Sequence, residues 1–160
     1  DYGRNILSGL APDALLFPGG DTRTFTMLYM QIVEGHRKDV TLADKYAYTD
    51  RSLYAGMPGK HSRFPGEREN LEIQSWIIRS CGRPVYLSTK TDSSSIPGYK
   101  VILSGLCYKV VREDWSSDID LSPWESYTWR EIPPGRQSDY GCDMILADLE
   151  CARAATGTAA

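Results

Sequence analysis

A wholly apolar run that ends at two adjacent glycines constrains the fold of this chain more than any other feature. Residues 14–17 read Ala-Leu-Leu-Phe, which is typical of a short strand buried on both faces of a parallel sheet. Gly19 and Gly20 interrupt the run, and a helical pattern follows from about Thr24 to Glu34. Gly35 is placed to end that helix. The sequence therefore predicts a strand, a tight turn and a helix in direct succession.

The helix after the glycines carries an apolar stripe with three- and four-residue spacing, formed by Phe25, Leu28, Tyr29, Ile32 and Val33. Such spacing places the side chains on one face, so we expect this face to pack into the core. Asp21 or Thr22 is expected to cap the helix, because a side-chain oxygen there accepts hydrogen bonds from unpaired backbone N–H groups.

Further helical and strand patterns alternate along the chain. We expect helices over residues 2–10, 69–81 and 138–155, and strands over 39–44, 84–88 and 106–111, with a strand or a helical turn over 101–103. This alternation predicts an α/β fold, a three-layer Rossmann-like sandwich with a mostly parallel sheet and an irregular, aromatic-rich C-terminal part. No repeat or linker divides the chain, so we expect a single domain over 1–160, frayed at 156–160.

The composition narrows the function classes. The net charge of -3, with scattered basic residues, argues against a nucleic-acid surface. No apolar run reaches the roughly 20 residues that span a bilayer. The cysteines form no CxxC pair, which argues against a zinc ribbon, and no metal or cofactor is expected. Cys81 and Cys107 are either bridged by a disulfide or remain buried free thiols.

Polar residues follow the predicted strands where parallel strands end, which is where α/β proteins collect ligands. The candidate ligand-binding residues are Gly20, Asp21, Arg23, Thr24 and Asp44. Alternatively, the acids only cap a helix and end a strand. Nucleotide-binding glycine motifs and the GxSxG nucleophile elbow are absent, and an acid at the turn would repel phosphate. The aromatics Trp115, Trp124, Tyr127 and Trp129 either stack on sugar rings or pack over a sheet edge.

Several motifs resemble one known family. Residues 20–25, Gly-Asp-Thr-Arg-Thr-Phe, are similar to a G-D-N-D-T-F turn, and residues 34–40, Glu-Gly-His-Arg-Lys-Asp-Val, to an E-G-V-R-P-D-V run. Residues 83–88 and 105–111 are similar to its RPVYF and GLVYRLV strands. The chain thus resembles the soluble C-terminal domain of the O-mannosyltransferase-like (GT-C type) multi-pass membrane protein family. Arg23 stands where that family has its second acid, which inverts the local charge.

The resemblance implies an extramembrane accessory domain of a membrane-bound glycosyltransferase, on the periplasmic or otherwise extracytoplasmic side. Its partner would be the membrane-embedded part of the same polypeptide, and it would bind sugar or a glycosylated acceptor or brace that part. The family's catalytic acids are expected in the membrane part, so we expect no catalytic residue here. Since the chain opens without Met, we expect it to be excised from a longer protein. The alternatives are a free-standing α/β hydrolase-like enzyme and a purely structural or protein-docking domain.

Overall fold

The computed structural model describes residues 2–43, 51–59, 66–89, 96–117, 119–128 and 154. The predicted last helix lies outside the described residues except for position 154, and Asp44, Trp129 and the tail lie outside them as well.

Three helices and six strands account for most of the described chain. The helices are α1 (Tyr2–Ser8), α2 (Asp21–Ile32) and α3 (Glu67–Ser80). The strands are β1 (Leu15–Phe17), β2 (Thr41–Leu42), β3 (Val85–Leu87), β4 (Tyr99–Ser104), β5 (Cys107–Arg112) and β6 (Ile119–Asp120). Two 3-10 turns cover Arg51–Tyr54 and Ser122–Ser126. The segment around residues 101–103, for which the sequence left two alternatives, is a strand.

The described strands form one mixed sheet in the order β2-β1-β3-β5-β4-β6. β1 pairs in parallel with β2 and with β3, and β6 pairs in parallel with β4. β5 is antiparallel to both of its neighbours, β3 and β4. Five strands therefore share one direction and β5 opposes them. The α/β fold with a mostly parallel sheet is confirmed for the described part.

Apolar side chains cover both faces of this sheet, because successive strand residues point to opposite sides. On one face, Ile6 and Leu7 of α1 pack in a cluster with Leu16 of β1. On the other face, Ile73 and Ile77 of α3 pack in a cluster with Leu15 and Val85. Helix, sheet and helix thus form three layers.

The two cysteines in the described part belong to opposite faces of the sheet. Cys107 is buried in the cluster that contains α1, and Cys81 packs against the cluster that contains α3. Neither forms a disulfide, so the disulfide alternative is wrong.

The expectation that the apolar stripe over Phe25, Leu28, Tyr29, Ile32 and Val33 packs into the core is wrong. Phe25, Tyr29, Ile32 and Val33 expose 66%, 50%, 74% and 63% of their surface, and only Leu28 of the stripe is partly buried. The buried residues of α2 are Arg23, Thr24 and Met27. The reason is that α1 supplies most of the apolar cover on this side, through Ile6, Leu7 and Leu10. α2 packs against α1, where the missing side chain of Gly3 admits Thr26.

The start of α2 also differs from the expectation. The N-cap residue is Gly20 and no side chain caps the helix, so neither Asp21 nor Thr22 is the cap. Asp21 lies one position later, in the first turn, where its negative charge is favourable towards the helix dipole.

The expected aromatic-rich region does not form one cluster in the described part. Trp124 and Tyr127 lie 5.3 Å apart between ring centroids and pack against the α1 side of the core. Trp115 is about half exposed, and the Lys109 ammonium lies 5.8 Å from the centre of its ring.

Candidate functional site

The order of the parallel strands defines a topological switch point, at which successive strands are added on opposite sides of β1. From β1 the chain continues through α2 to β2 on one side, and it returns through α3 to β3 on the other side of β1. In open α/β sheets, ligands bind outside the carboxyl ends of the strands at such a switch point. Here that point lies between the ends of β1 and β3.

The turns that follow β1 and β3 are in direct contact. The Ser88 backbone N–H donates to the Phe17 carbonyl at 3.0 Å, and the Ser88 hydroxyl donates to the Pro18 carbonyl. A Cβ atom at Gly19 would lie 2.7 Å from Thr89 Oγ1, and Gly19 has a φ of +64°. Both the close approach and the left-handed backbone require glycine here. The structure therefore brings together the two loops that the sequence places at one sheet edge.

Gly20 and Asp21 form the open rim of this edge. Gly20 has a φ of +113°, and a Cβ atom there would meet nothing within 4 Å. Asp21 and Thr22 are exposed. No side-chain hydrogen bond caps α2, and the Asp21 carboxylate belongs to the same first turn as the uncapped N–H groups. A carboxylate beside these donors suits a neutral, hydroxyl-bearing ligand better than a phosphate.

Arg23 and Thr24 lie beneath the rim rather than on it. Arg23 is 4% exposed, and its guanidinium donates to the Tyr2 hydroxyl at 3.2 Å and to the Gly19 carbonyl at 3.3 Å. The Thr24 hydroxyl donates to the Gly20 carbonyl at 2.8 Å. These contacts fix the shape of the turn. The structure thus places Gly20 and Asp21 at the surface and Arg23 and Thr24 below them, whereas Asp44 lies outside the described residues.

Sequence reasoning did not find the role of Arg37, which binds the end of α1. Its five N–H groups donate to the carbonyls of Leu7, Leu10 and Ala11 and to both carboxylate oxygens of Asp39, at 2.6–2.9 Å. The hydrogen bonds from Arg37 hold the pKa of Asp39 well below its usual range, and the carboxylate raises the pKa of Arg37. The signal that could have found this clamp is the Glu34–Val40 run, which contains both residues.

A serine and a histidine also meet in the structure. Ser8 Oγ and His36 Nε2 are 3.0 Å apart, and burial together with the Arg4 charge lowers the pKa of His36. Both residues lie in segments that lead towards the amino ends of β1 and β2, at the sheet edge opposite to the rim. Both oxygens of the nearby Asp39 carboxylate accept hydrogen bonds from Arg37. The pair therefore connects α1 to the loop after α2.

The described residues contain no group of three or more potential metal ligands. None of the described helices has the length and hydrophobicity that a membrane span requires.

These features define an α/β domain with a polar edge at the switch point of its sheet. Residues 1–52 match the family model described as TMEM260-associated domain 2. TMEM260 is a membrane protein of the protein O-mannosyltransferase-like kind. The match covers α1, β1, α2 and β2, and with them the glycine turn and the Arg37 clamp. Searches of curated proteins and of solved structures found no match.

Proposed function

We propose that this chain is the extramembrane accessory domain of a membrane-bound GT-C-type glycosyltransferase. Its partner is the membrane-embedded part of the same polypeptide, and it lies on the periplasmic or otherwise extracytoplasmic side. The match of residues 1–52 to a TMEM260-associated domain supports the link to a membrane protein. The motif resemblance extends that support to β3 and β5, which pair with each other in the sheet.

The domain binds a sugar or a glycosylated acceptor at the rim formed by Gly20 and Asp21. The observation that carries this proposal is the open space at Gly20, beside an exposed carboxylate, at the switch point of the sheet. A carboxylate accepts hydrogen bonds from sugar hydroxyls, and the uncapped N–H groups of α2 donate to sugar oxygens. Arg23 and Thr24 keep the turn in the geometry that presents these groups.

In this proposal the domain contributes binding, and the membrane part carries out glycosyl transfer. Within the described residues, Ser8 and His36 form a serine–histidine pair that lies at the opposite sheet edge from the rim, which favours accessory binding over the hydrolase alternative. The buried positions of Arg23 and Thr24 are consistent with this division, because neither side chain presents a reactive group at the surface.

An NMR titration of the isotopically labelled chain tests the binding site. The probe is a short peptide with an O-mannosylated threonine, and the same peptide without the sugar is the control ligand. We expect chemical shift changes to cluster at residues 19–22. Asp21→Asn should weaken binding by about 10- to 100-fold, since a hydrogen bond to a charged group contributes about 1.5–3 kcal/mol. Asp114→Asn, at another exposed acid, should leave binding unchanged.

Two results would count against the site. In the first, the shifts are scattered or equal for the two peptides. In the second, Asp21→Asn binds the mannosylated peptide as tightly as Asp114→Asn does.

A further inference from the structure

The outward face of α2 exposes large apolar side chains to solvent. At 3.6 residues per turn, the exposed side chains of Phe25 and Ile32 lie about half a turn from the buried side chains of Arg23 and Met27. The helix thus turns its more apolar face to solvent and buries an arginine and a threonine. We call the exposed residues Phe25, Tyr29, Ile32 and Val33 the α2 stripe.

We propose that the α2 stripe docks against an apolar helix surface on the membrane-embedded part of the same polypeptide. This inference rests on the proposed function, because it takes the partner from it. The stripe lies entirely within residues 1–52, the segment that matches the TMEM260-associated domain. It is therefore part of the segment whose match points to a membrane protein.

The size of the stripe favours a tethered partner over a second copy of the chain. Four large side chains in a row form a patch of roughly 300–600 Å², the size at which exposed apolar patches on monomers are often functional. A stable complex between free proteins buries about 800 Å² on each partner, which is more than the stripe offers. A partner in the same polypeptide has an effective concentration on the order of millimolar, so a small interface suffices.

The charges around the stripe favour a protein partner over a lipid surface. Helices that lie on anionic membranes carry Lys and Arg on their polar face. α2 contains one basic residue, Arg23, and it is buried. Arg4, on the neighbouring helix, is paired with Glu34 at 3.4 Å. Asp21 places an exposed acid at the start of the stripe, where it would repel acidic headgroups.

Site-specific photocrosslinking in the full-length parent protein, in its native membrane, tests the inference. A benzoylphenylalanine replaces Phe25 in one variant and Leu71 in the control, because Leu71 is an exposed apolar residue on α3. We expect the probe at position 25 to crosslink within the polypeptide, to an apolar segment of the membrane part, several-fold more than the probe at position 71. Adding Ile32→Glu should abolish that crosslink.

Ile32→Glu should leave the urea unfolding midpoint of the isolated chain unchanged, because the Ile32 side chain is exposed. Loss of the crosslink therefore reports lost docking rather than lost folding. Equal yields at positions 25 and 71, or a crosslink that survives Ile32→Glu, would overturn the inference. So would a dominant crosslink from position 25 to lipid or to a second copy.

The outcomes also separate this inference from the proposed function. If position 25 does not crosslink but the mannosylated peptide still binds at Asp21, only the docking inference fails. If the parent protein has no membrane-embedded segment, both fail.

Discussion

Replacing Arg37 by lysine probes the clamp that joins the end of α1 to β2. The guanidinium uses five N–H groups on three carbonyls and one carboxylate, whereas an ammonium has three donors at a single point. At least two hydrogen bonds are therefore lost. With about 1–1.5 kcal/mol for each, Arg37→Lys should lower the free energy of unfolding by about 2–3 kcal/mol. Because the Asp39 side chain is 42% exposed, solvent screens its ion pair with Arg37, and we do not expect a larger loss of unfolding free energy.

Urea unfolding followed by tryptophan fluorescence at pH 7 measures this loss, and thermal unfolding should show a decrease in Tm of about 4–12 °C. Arg68→Lys is the matched control, because the Arg68 side chain is 94% exposed in its pair with Glu72 and its loss should cost less than about 0.5 kcal/mol. If Arg37→Lys is as stable as Arg68→Lys, the clamp does not stabilise the fold.

The ion pair also predicts a pH dependence. Because the pKa of Asp39 is held well below its ordinary value of 3.8, the contribution of the pair is complete above pH 3.8 and decreases as the pH falls further. The difference in stability between the wild type and Arg37→Lys should therefore shrink in acid.

Two further predictions concern His36 and Gly105. The lowered pKa of His36 means that the folded state favours the neutral ring, so stability is complete above pH 6.5 and decreases as the pH falls. In His36→Gln, the urea unfolding midpoint should change less between pH 7 and pH 5 than it does in the wild type. An equal pH dependence in the two proteins would refute the role of His36. Gly105→Ala should destabilise the fold by about 1–3 kcal/mol, because it combines a φ of +58° with a steric overlap against the Tyr127 hydroxyl. Gly98→Ala is the control, because Gly98 also has a positive φ but a Cβ atom there would meet nothing within 4 Å. If urea titrations show the same loss of unfolding free energy for both variants, the overlap with Tyr127 does not contribute.

The sequence predicts the elements near the rim well, because short-range chemistry decides them. The apolar run 14–17 contains β1, the two glycines mark the turn, and Gly35 follows α2 with a φ of +65°. β5 and the strand after α3 are also where the patterns indicate them, whereas β4 is the strand alternative of the two that the sequence left open for residues 101–103. Each of these elements depends on residues that are close in sequence, so the local sequence pattern is enough to predict it.

The orientation of α2 could not be predicted from its periodicity. Spacing shows that Phe25 and Ile32 share a face, but it does not show which way the face points. That depends on α1, whose Ile6 and Leu7 cover the sheet on this side. The Arg37 clamp was missed for a similar reason, because it requires the end of α1 to lie against the loop before β2. In both cases the deciding contact joins segments that are distant in sequence.

A glycosyl-transfer assay tests the proposed binding role most directly, on the membrane protein of which this chain is proposed to be a part. The wild type is compared with Asp21→Asn and with the control Asp114→Asn, both at exposed carboxylates. Because the domain is proposed to bind a glycosylated acceptor and not to catalyse transfer, Asp21→Asn should raise KM for that acceptor about tenfold or more at an unchanged kcat. An Asp21→Asn protein with the KM of Asp114→Asn would contradict the account, as would a lower kcat at an unchanged KM.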